Sequence, residues 1–237
     1  MSIRTRKIEI ETPDGVMPAH LSEPEGPGPH PAVVVLMEAF GLVPHIESVT
    51  DRLAGEGYVA VAPDIYYREL PNNKVGYDHL DDAIGLMQKL DDQRFVEDMR
   101  ATLDDLAARA NVDETKQGVT GFCMGGRLAF LSACALPDRI AAAAPFYGGG
   151  IAGHLEQAER IRAPLYLFFG EKDAFIPREQ VDQVDAGLRE LGVKYKLKSY
   201  PGADHGFFCD ERETYEPKAA EDAWRELRSF FAEHLQS

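Results

Sequence analysis

Gly121-Phe122-Cys123-Met124-Gly125-Gly126 stands where a strand-like run, Gln117–Gly121, turns into an apolar helix-like run beginning at Met124. The pattern is G-x-C-x-G, the cysteine form of the nucleophile elbow. Its demand for glycine is steric. Strand and helix nearly touch, so a Cβ two residues before or after the central residue would collide with the neighbouring element. The central residue itself is held in a strained backbone conformation. A cysteine at a helix N-terminus is favoured as thiolate over thiol. The N–H of Met124 then points into the site as one oxyanion donor. A lone cysteine would more often be an inert core residue. Here the flanking glycines and the strand-to-helix junction favour a nucleophile, whereas Cys134, on an apolar helical stretch, reads as core.

Outward from the elbow the chain alternates. Ala32–Met37 (AVVVLM) is a short, β-branched, continuous apolar run, the signature of a strand buried on both faces of a parallel sheet. Further strands are predicted at Tyr58–Ala62, Gln117–Gly121, Ile140–Phe146, Leu165–Phe169 and Lys194–Ser199. Helices are predicted over Ile46–Gly55, Phe95–Ala110, Met124–Ala135, Arg178–Leu191 and Glu216–Leu235. Before them, Lys7–Thr12 and Val16–Leu21 form an antiparallel hairpin across the turn Pro13-Asp14-Gly15. The fold class is therefore α/β: a doubly wound, mostly parallel sheet with an N-terminal hairpin and helices on both faces. One domain over residues 1–237 is expected. Tyr66–Gln93, headed by Pro71-Asn72-Asn73, is the least regular long segment, a cap-like excursion or an ordinary surface insertion.

In such folds an acid and then a histidine follow the nucleophile, each just past the C-terminal end of a later strand. Gly170-Glu171-Lys172-Asp173-Ala174-Phe175-Ile176-Pro177 and Pro201-Gly202-Ala203-Asp204-His205-Gly206-Phe207 are the two loops in those places. Asp173 would hold the imidazole in one tautomer, and His205 would take the thiol proton and return it to the leaving oxygen. Asp173 is equally suited to capping the following helix. His205 could be a solvent-facing turn residue, and Glu171 and Asp204 are rival acids. The ordered trio outweighs each residue taken alone. The remaining histidines are scattered and give no metal-ligand spacing. Neither a metal nor a cofactor is expected.

The strand AVVVLM ends in Glu38-Ala39-Phe40-Gly41, the loop that supplies the second oxyanion donor, assigned to the Ala39 N–H. A carboxylate beside a developing negative charge is counterproductive unless it has a task such as exchanging a proton with the thiol. A carboxylate simply exposed on a loop is the competing reading.

Composition narrows the partners. The chain has 237 residues and a formal net charge of -15, which argues against a nucleic-acid backbone or an anionic membrane surface. No stretch approaches the roughly 18 apolar residues of a membrane span. The three cysteines form no paired framework and no C-x-x-C ligand spacing. With no apolar leader at the N-terminus, a reducing cytoplasm is the expected location. The expected partner is a small-molecule ester or lactone, and the expected assembly a monomer or small homo-oligomer.

The chain resembles the dienelactone hydrolases (carboxymethylenebutenolidases) over nearly its whole length. The resemblance is carried by E-A-F-G, A-P-D-I-Y, G-F-C-M-G-G, F-Y-G-G, G-E-K-D-x-x-x-P and G-A-D-H-G-F, with Asp210–Trp224 leading into the last helix. It implies an α/β-hydrolase fold and a Cys123–His205–Asp173 triad acting through a covalent acyl-cysteine. It also implies that Glu38 contacts the resting thiol and helps form the thiolate when substrate arrives. Phe40, Tyr147, Arg68 and Phe207 are the expected substrate contacts. The sequence departs from the family in one respect. Dienelactone hydrolases proper grip the substrate carboxylate with two arginines, one of them four residues after the histidine, and here that position is Cys209, with Arg212 the nearest cation. The reaction class is thus separated from the family's eponymous substrate. A carboxylesterase, thioesterase or peptidase of the same fold, or a non-catalytic binding protein on a hydrolase scaffold, are the alternatives.

Overall fold

Val33, Val34, Val35 and Leu36 are completely buried, as a strand covered on both faces must be. In the computed structural model, which describes residues 1–69 and 74–237, they belong to the third of eight strands. These are β1 (Ile3–Thr12), β2 (Gly15–Pro24), β3 (His30–Leu36), β4 (Val59–Pro63), β5 (Val112–Phe122), β6 (Ala142–Phe146), β7 (Leu165–Gly170) and β8 (Tyr195–Tyr200). The helices are α1 (Pro44–Gly55), α2 (Leu80–Met87), α3 (Asp92–Ala107), α4 (Met124–Ala135), α5 (Arg178–Glu190) and α6 (Pro217–Leu235), with a 3-10 segment at Ile151–Arg160.

The strands form one sheet in the order β1-β2-β4-β3-β5-β6-β7-β8. The β1–β2 and β2–β4 pairings are antiparallel and all others are parallel. Helices cover both faces. On one, α1 and α6 are tied together by Arg52, whose guanidinium lies 3.9 Å over the Trp224 ring, and by the Arg228–Glu56 ion pair. On the other, α3 packs against α4, and α4 and α5 both pack against the 3-10 segment.

This topology positions the site. The chain leaves β3 for β4 on one side and then returns past β3 to β5 on the other, so the winding direction reverses between β3 and β5. At such a switch point the loops after the two strands diverge and leave a crevice at their C-terminal ends. Glu38 follows β3 there and Cys123 follows β5. The loops after β7 and β8 bring Asp173 and His205 to the same edge.

Two elements carry no clear signature in the sequence. Residues 80–87 form α2, but only Ala83 and Leu86 of this short helix are buried, too few positions to set a period. The 3-10 segment is similarly weak in pattern, with only Ile151 and Ala158 buried. β1 starts at Ile3, earlier than its alternation suggests, because Ile3–Arg6 pairs with Leu21–Pro24 through the backbone ladder and through polar side-chain contacts such as Thr5–Ser22 and Arg6–Glu23, which leave no apolar alternation. The predicted Pro71-Asn72-Asn73 head of the irregular segment lies outside the described residues. Among the described residues no helix is long and apolar enough to cross a membrane.

Candidate active site

Cys123 has φ 57° and ψ −116°, a strained conformation for a residue with a side chain. The surrounding packing enforces it. A Cβ on Gly121 would overlap the Gly125 carbonyl, and one on Gly125 would overlap the carbonyl of Leu36 in β3. The Cys123 N–H donates to the Phe146 carbonyl at 3.1 Å, and its own carbonyl accepts from Gly126 and Arg127 in the first turn of α4. The Met124 N–H is among the first donors of that helix, which have no intrahelical acceptor. Cys123 is partly exposed, whereas Cys134 and Cys209 are buried. Burial pushes both of those thiols up to about 12.

His205 and Asp173 meet Cys123 from two separate loops. His205 Nδ1 lies 2.8 Å from Asp173 Oδ2, and the imidazole is electrostatically coupled to the Cys123 thiol. Burial disfavours a charged imidazole here, but Asp173 and then Cys123 outweigh it and raise His205 to about 10. The second Asp173 oxygen accepts the N–H groups of Phe175 at 2.8 Å and Ile176 at 3.0 Å. Asp173 therefore closes its own turn. It does not cap α5, whose N-cap position is Pro177. The rival acids lie elsewhere: Glu171 is exposed, and Asp204 accepts the backbone N–H of His205 at 2.6 Å.

Glu38 is fully buried, not an exposed loop carboxylate. Its Oε1 lies 3.3 Å from an Arg212 guanidinium nitrogen, and Oε2 has no partner among the described residues. Burial works against the Arg212 charge, and Glu38, followed by Tyr147, Cys123 and Cys209, together more than offset it, holding the guanidinium above its ordinary range. The guanidinium also sits over the rings of Phe40, at 5.4 Å, and Tyr77, at 5.9 Å. Gly206, with φ +79°, leaves the space it occupies, since a Cβ there would overlap the guanidinium.

Residues 74–77 of the irregular segment strap this loop down. Val75 N–H donates to the Phe40 carbonyl at 3.0 Å, Lys74 bridges Gly41, and the Tyr77 ring meets Phe40 edge-on. The Tyr77 hydroxyl is 3.2 Å from Cys209 Sγ. Cys209 is thus a packed residue beneath Tyr77, and Arg212 is the cation that enters the site.

Among the expected substrate contacts, Phe40 faces Arg212 and Tyr147 packs edge-on against His205 at 5.2 Å. Tyr147 is fully buried with φ 34°, and its hydroxyl has no partner among the described residues. Burial and then Glu38 raise that hydroxyl well above its ordinary value. Phe207 is fully buried behind Tyr147 and Tyr200, a supporting position. Arg68 is not brought to the site. Its guanidinium makes paired bonds of 2.6 and 2.7 Å to the buried Asp98, and a third to Asp14. An unpaired carboxylate at Asp98 would be costly to bury, and Arg68 neutralises it.

Arg212, Tyr77, Phe175 and Tyr66 are site residues that the motifs did not assign. Arg212 was visible only as the nearest cation to Cys209, and Tyr66 only as the end of A-P-D-I-Y. Nothing in the sequence signals that Tyr77 reaches Cys209. Among the described residues no cluster of His, Cys, Asp and Glu is arranged to hold a metal ion.

Comparison with known proteins matches this architecture. A Synechocystis sp. protein provisionally named carboxymethylenebutenolidase is 38% identical over 248 residues, covering 100% of this chain and 99% of its own length. Among solved structures, a provisionally named dienelactone hydrolase from Klebsiella pneumoniae superposes with a TM-score of 0.91 at 32% identity, covering 99% of this chain and 100% of its own. A dienelactone hydrolase-like promiscuous phosphotriesterase from metagenomic libraries gives a TM-score of 0.86 at 25% identity, covering 99% of each chain. The dienelactone hydrolase family model matches residues 17–235. The chain is a hydrolase with the α/β-hydrolase fold and belongs to the dienelactone hydrolase family.

Proposed function

We propose that the protein hydrolyses a small carboxylic ester or lactone through a covalent acyl-cysteine on Cys123. The observation that carries this reading is the Asp173–His205 hydrogen bond, with the imidazole coupled to Cys123 in its strained position at the start of α4. The thiolate attacks the carbonyl carbon, forming the C–S bond and driving the carbonyl electron pair onto oxygen. The N–H groups of Ala39 and Met124 hold that oxyanion. Collapse expels the alkoxide, which takes its proton from the His205 imidazolium. For a lactone the alkoxide stays attached to the acyl group. His205, now neutral, removes a proton from water as it attacks the thioester, and the acid leaves with the thiol regenerated.

Glu38 and Arg212 bear on substrate choice. A cation seated between Phe40 and Tyr77, within electrostatic reach of Cys123, suits a substrate that carries its own carboxylate. Such a group would compete with Glu38 for Arg212 and free Glu38 to take up the thiol proton. All of these groups lie on one sheet edge, so residues 1–237 act as a single catalytic domain. Three unpaired thiols suit a reducing cytoplasm.

Turnover of p-nitrophenyl acetate, with an acid-quenched sample examined by intact-protein mass spectrometry, tests the reading. The wild type gains the mass of one acetyl group, and Cys123→Ala neither gains it nor releases nitrophenol. Full activity in the Ala variant would remove Cys123 from the mechanism.

A further inference from the structure

Tyr66 ends the A-P-D-I-Y run after β4, and no step of the proposed hydrolysis uses it. It is 1% exposed. Its backbone is fixed from behind: its N–H donates to Asp64 Oδ1 at 3.2 Å, and the Asp64 N–H donates to the Pro18 carbonyl on β2 at 2.8 Å. The hydroxyl reaches two loops that are distant in sequence. It lies 3.0 Å from the Ala39 carbonyl oxygen and 3.2 Å from Met124 Sδ. Ala39 and Met124 are the two residues whose N–H groups hold the oxyanion in the reading above. Burial, with the Cys123 charge second, raises the Tyr66 hydroxyl above its ordinary value, so it remains a donor at neutral pH.

We propose that Tyr66 is a positioning residue of the oxyanion hole. By donating to one loop and contacting the other, it sets the separation and direction of the Ala39 and Met124 N–H groups. The inference rests on the acyl-cysteine reading.

The loop after β3 needs such a tie. Its other fastenings act on the flanks of Ala39: Gly41 N–H bonds the Glu38 carbonyl at 3.1 Å, and Val75 N–H bonds the Phe40 carbonyl at 3.0 Å. Neither engages the Ala39 carbonyl. An oxyanion hole stabilises charge only when its donors already point at the position the oxygen will take. Tyr66 acts on the donors, not on the substrate.

Tyr66→Phe keeps the ring and deletes the hydroxyl. Against p-nitrophenyl acetate, kcat should fall about ten- to hundredfold, somewhat less than outright loss of a donor, with KM changed less than about twofold. Two further measurements separate positioning from general support. Butyraldehyde adds to the Cys123 thiol, forming a C–S bond and placing its oxygen in the hole, so its inhibition constant should rise by a factor similar to the loss in kcat. Iodoacetamide displaces iodide from carbon and forms no tetrahedral oxyanion, so Cys123 alkylation should stay within about twofold of wild type. Unchanged kcat and aldehyde affinity would overturn the proposal. So would a parallel fall in alkylation, which would mark a general structural role. If the wild type turns over no ester, or Cys123→Ala still does, the acyl-cysteine reading itself fails, whatever Tyr66 does.

Discussion

Arg212 lies 3.3 Å from Glu38 Oε1, and this pair joins the loop after β3 to the chain beyond β8. The carboxylate is fully buried and the guanidinium only partly exposed, so the carboxylate cannot relax into water if the guanidinium is removed. In the proposed mechanism the pair is also a competition, because a substrate carboxylate and Glu38 would seek the same cation. Position in sequence shows neither role. The side chain reaches the site only because Gly206, with φ +79°, leaves room beside His205.

Arg212 should therefore discriminate between acid-bearing and neutral esters. Arg212→Lys keeps the charge but loses the planar fork that engages a carboxylate through two N–H groups. Its kcat/KM for an ester carrying a carboxylate should fall about tenfold or more, the equivalent of one charge-assisted hydrogen bond, while that for p-nitrophenyl acetate changes less than about threefold. Paired rate measurements on the two substrates decide it. Equal losses on both would assign Arg212 to holding Glu38 alone.

The His205–Asp173 bond makes a prediction about stability and pH. The folded imidazole is raised to about 10 against an ordinary value of 6.5. A raised group stabilises the fold fully below its unfolded value and loses that contribution as pH climbs through the folded one. Asp173→Asn removes the leading cause of the increase. The gap in urea midpoint between wild type and Asp173→Asn should be widest near pH 6 and shrink steadily toward pH 10. Groups that titrate alike in both proteins cancel in the difference. Curves that run parallel across that range would mean that Asp173 does not set the His205 charge.

Legibility in the sequence tracked how strongly backbone geometry constrained residue type. The predicted α4, Met124–Ala135, has the observed boundaries because the elbow pins its start between two close approaches that only glycine permits. The apolar core of β3 was equally plain, since a doubly buried strand leaves no place for a polar residue. Charged side chains on loops carry no such signal. Arg68 and Arg212 both flank motif segments, yet one neutralises Asp98 and the other enters the site. Their destinations depend on which buried carboxylate lies within reach, a tertiary fact with no period or spacing. Tyr66 and Tyr77 were hidden for a related reason: an aromatic in an irregular segment looks the same whether it fills core or steers a loop.

Phe175 offers a test of specificity that leaves the proposed chemistry in place. It is 61% exposed, and its ring stands edge-on to His205 at 5.2 Å, an apolar wall beside the base. Its backbone N–H, not its ring, bonds Asp173 Oδ1 at 2.8 Å. Phe175→Ala should consequently preserve the Asp173 turn and shift stability by less than about 0.5 kcal/mol, as exposed substitutions do. What it removes is apolar surface at the mouth of the site, about 1 kcal/mol of binding for a substrate that reaches it. KM for p-nitrophenyl butyrate should rise about three- to tenfold with kcat little changed, since removing an interaction that ground and transition states share equally appears in KM alone. The acetate ester, too short to cover the wall with its acyl chain, serves as the internal comparison. A fall in kcat on both esters would instead mean that the ring holds His205 in place.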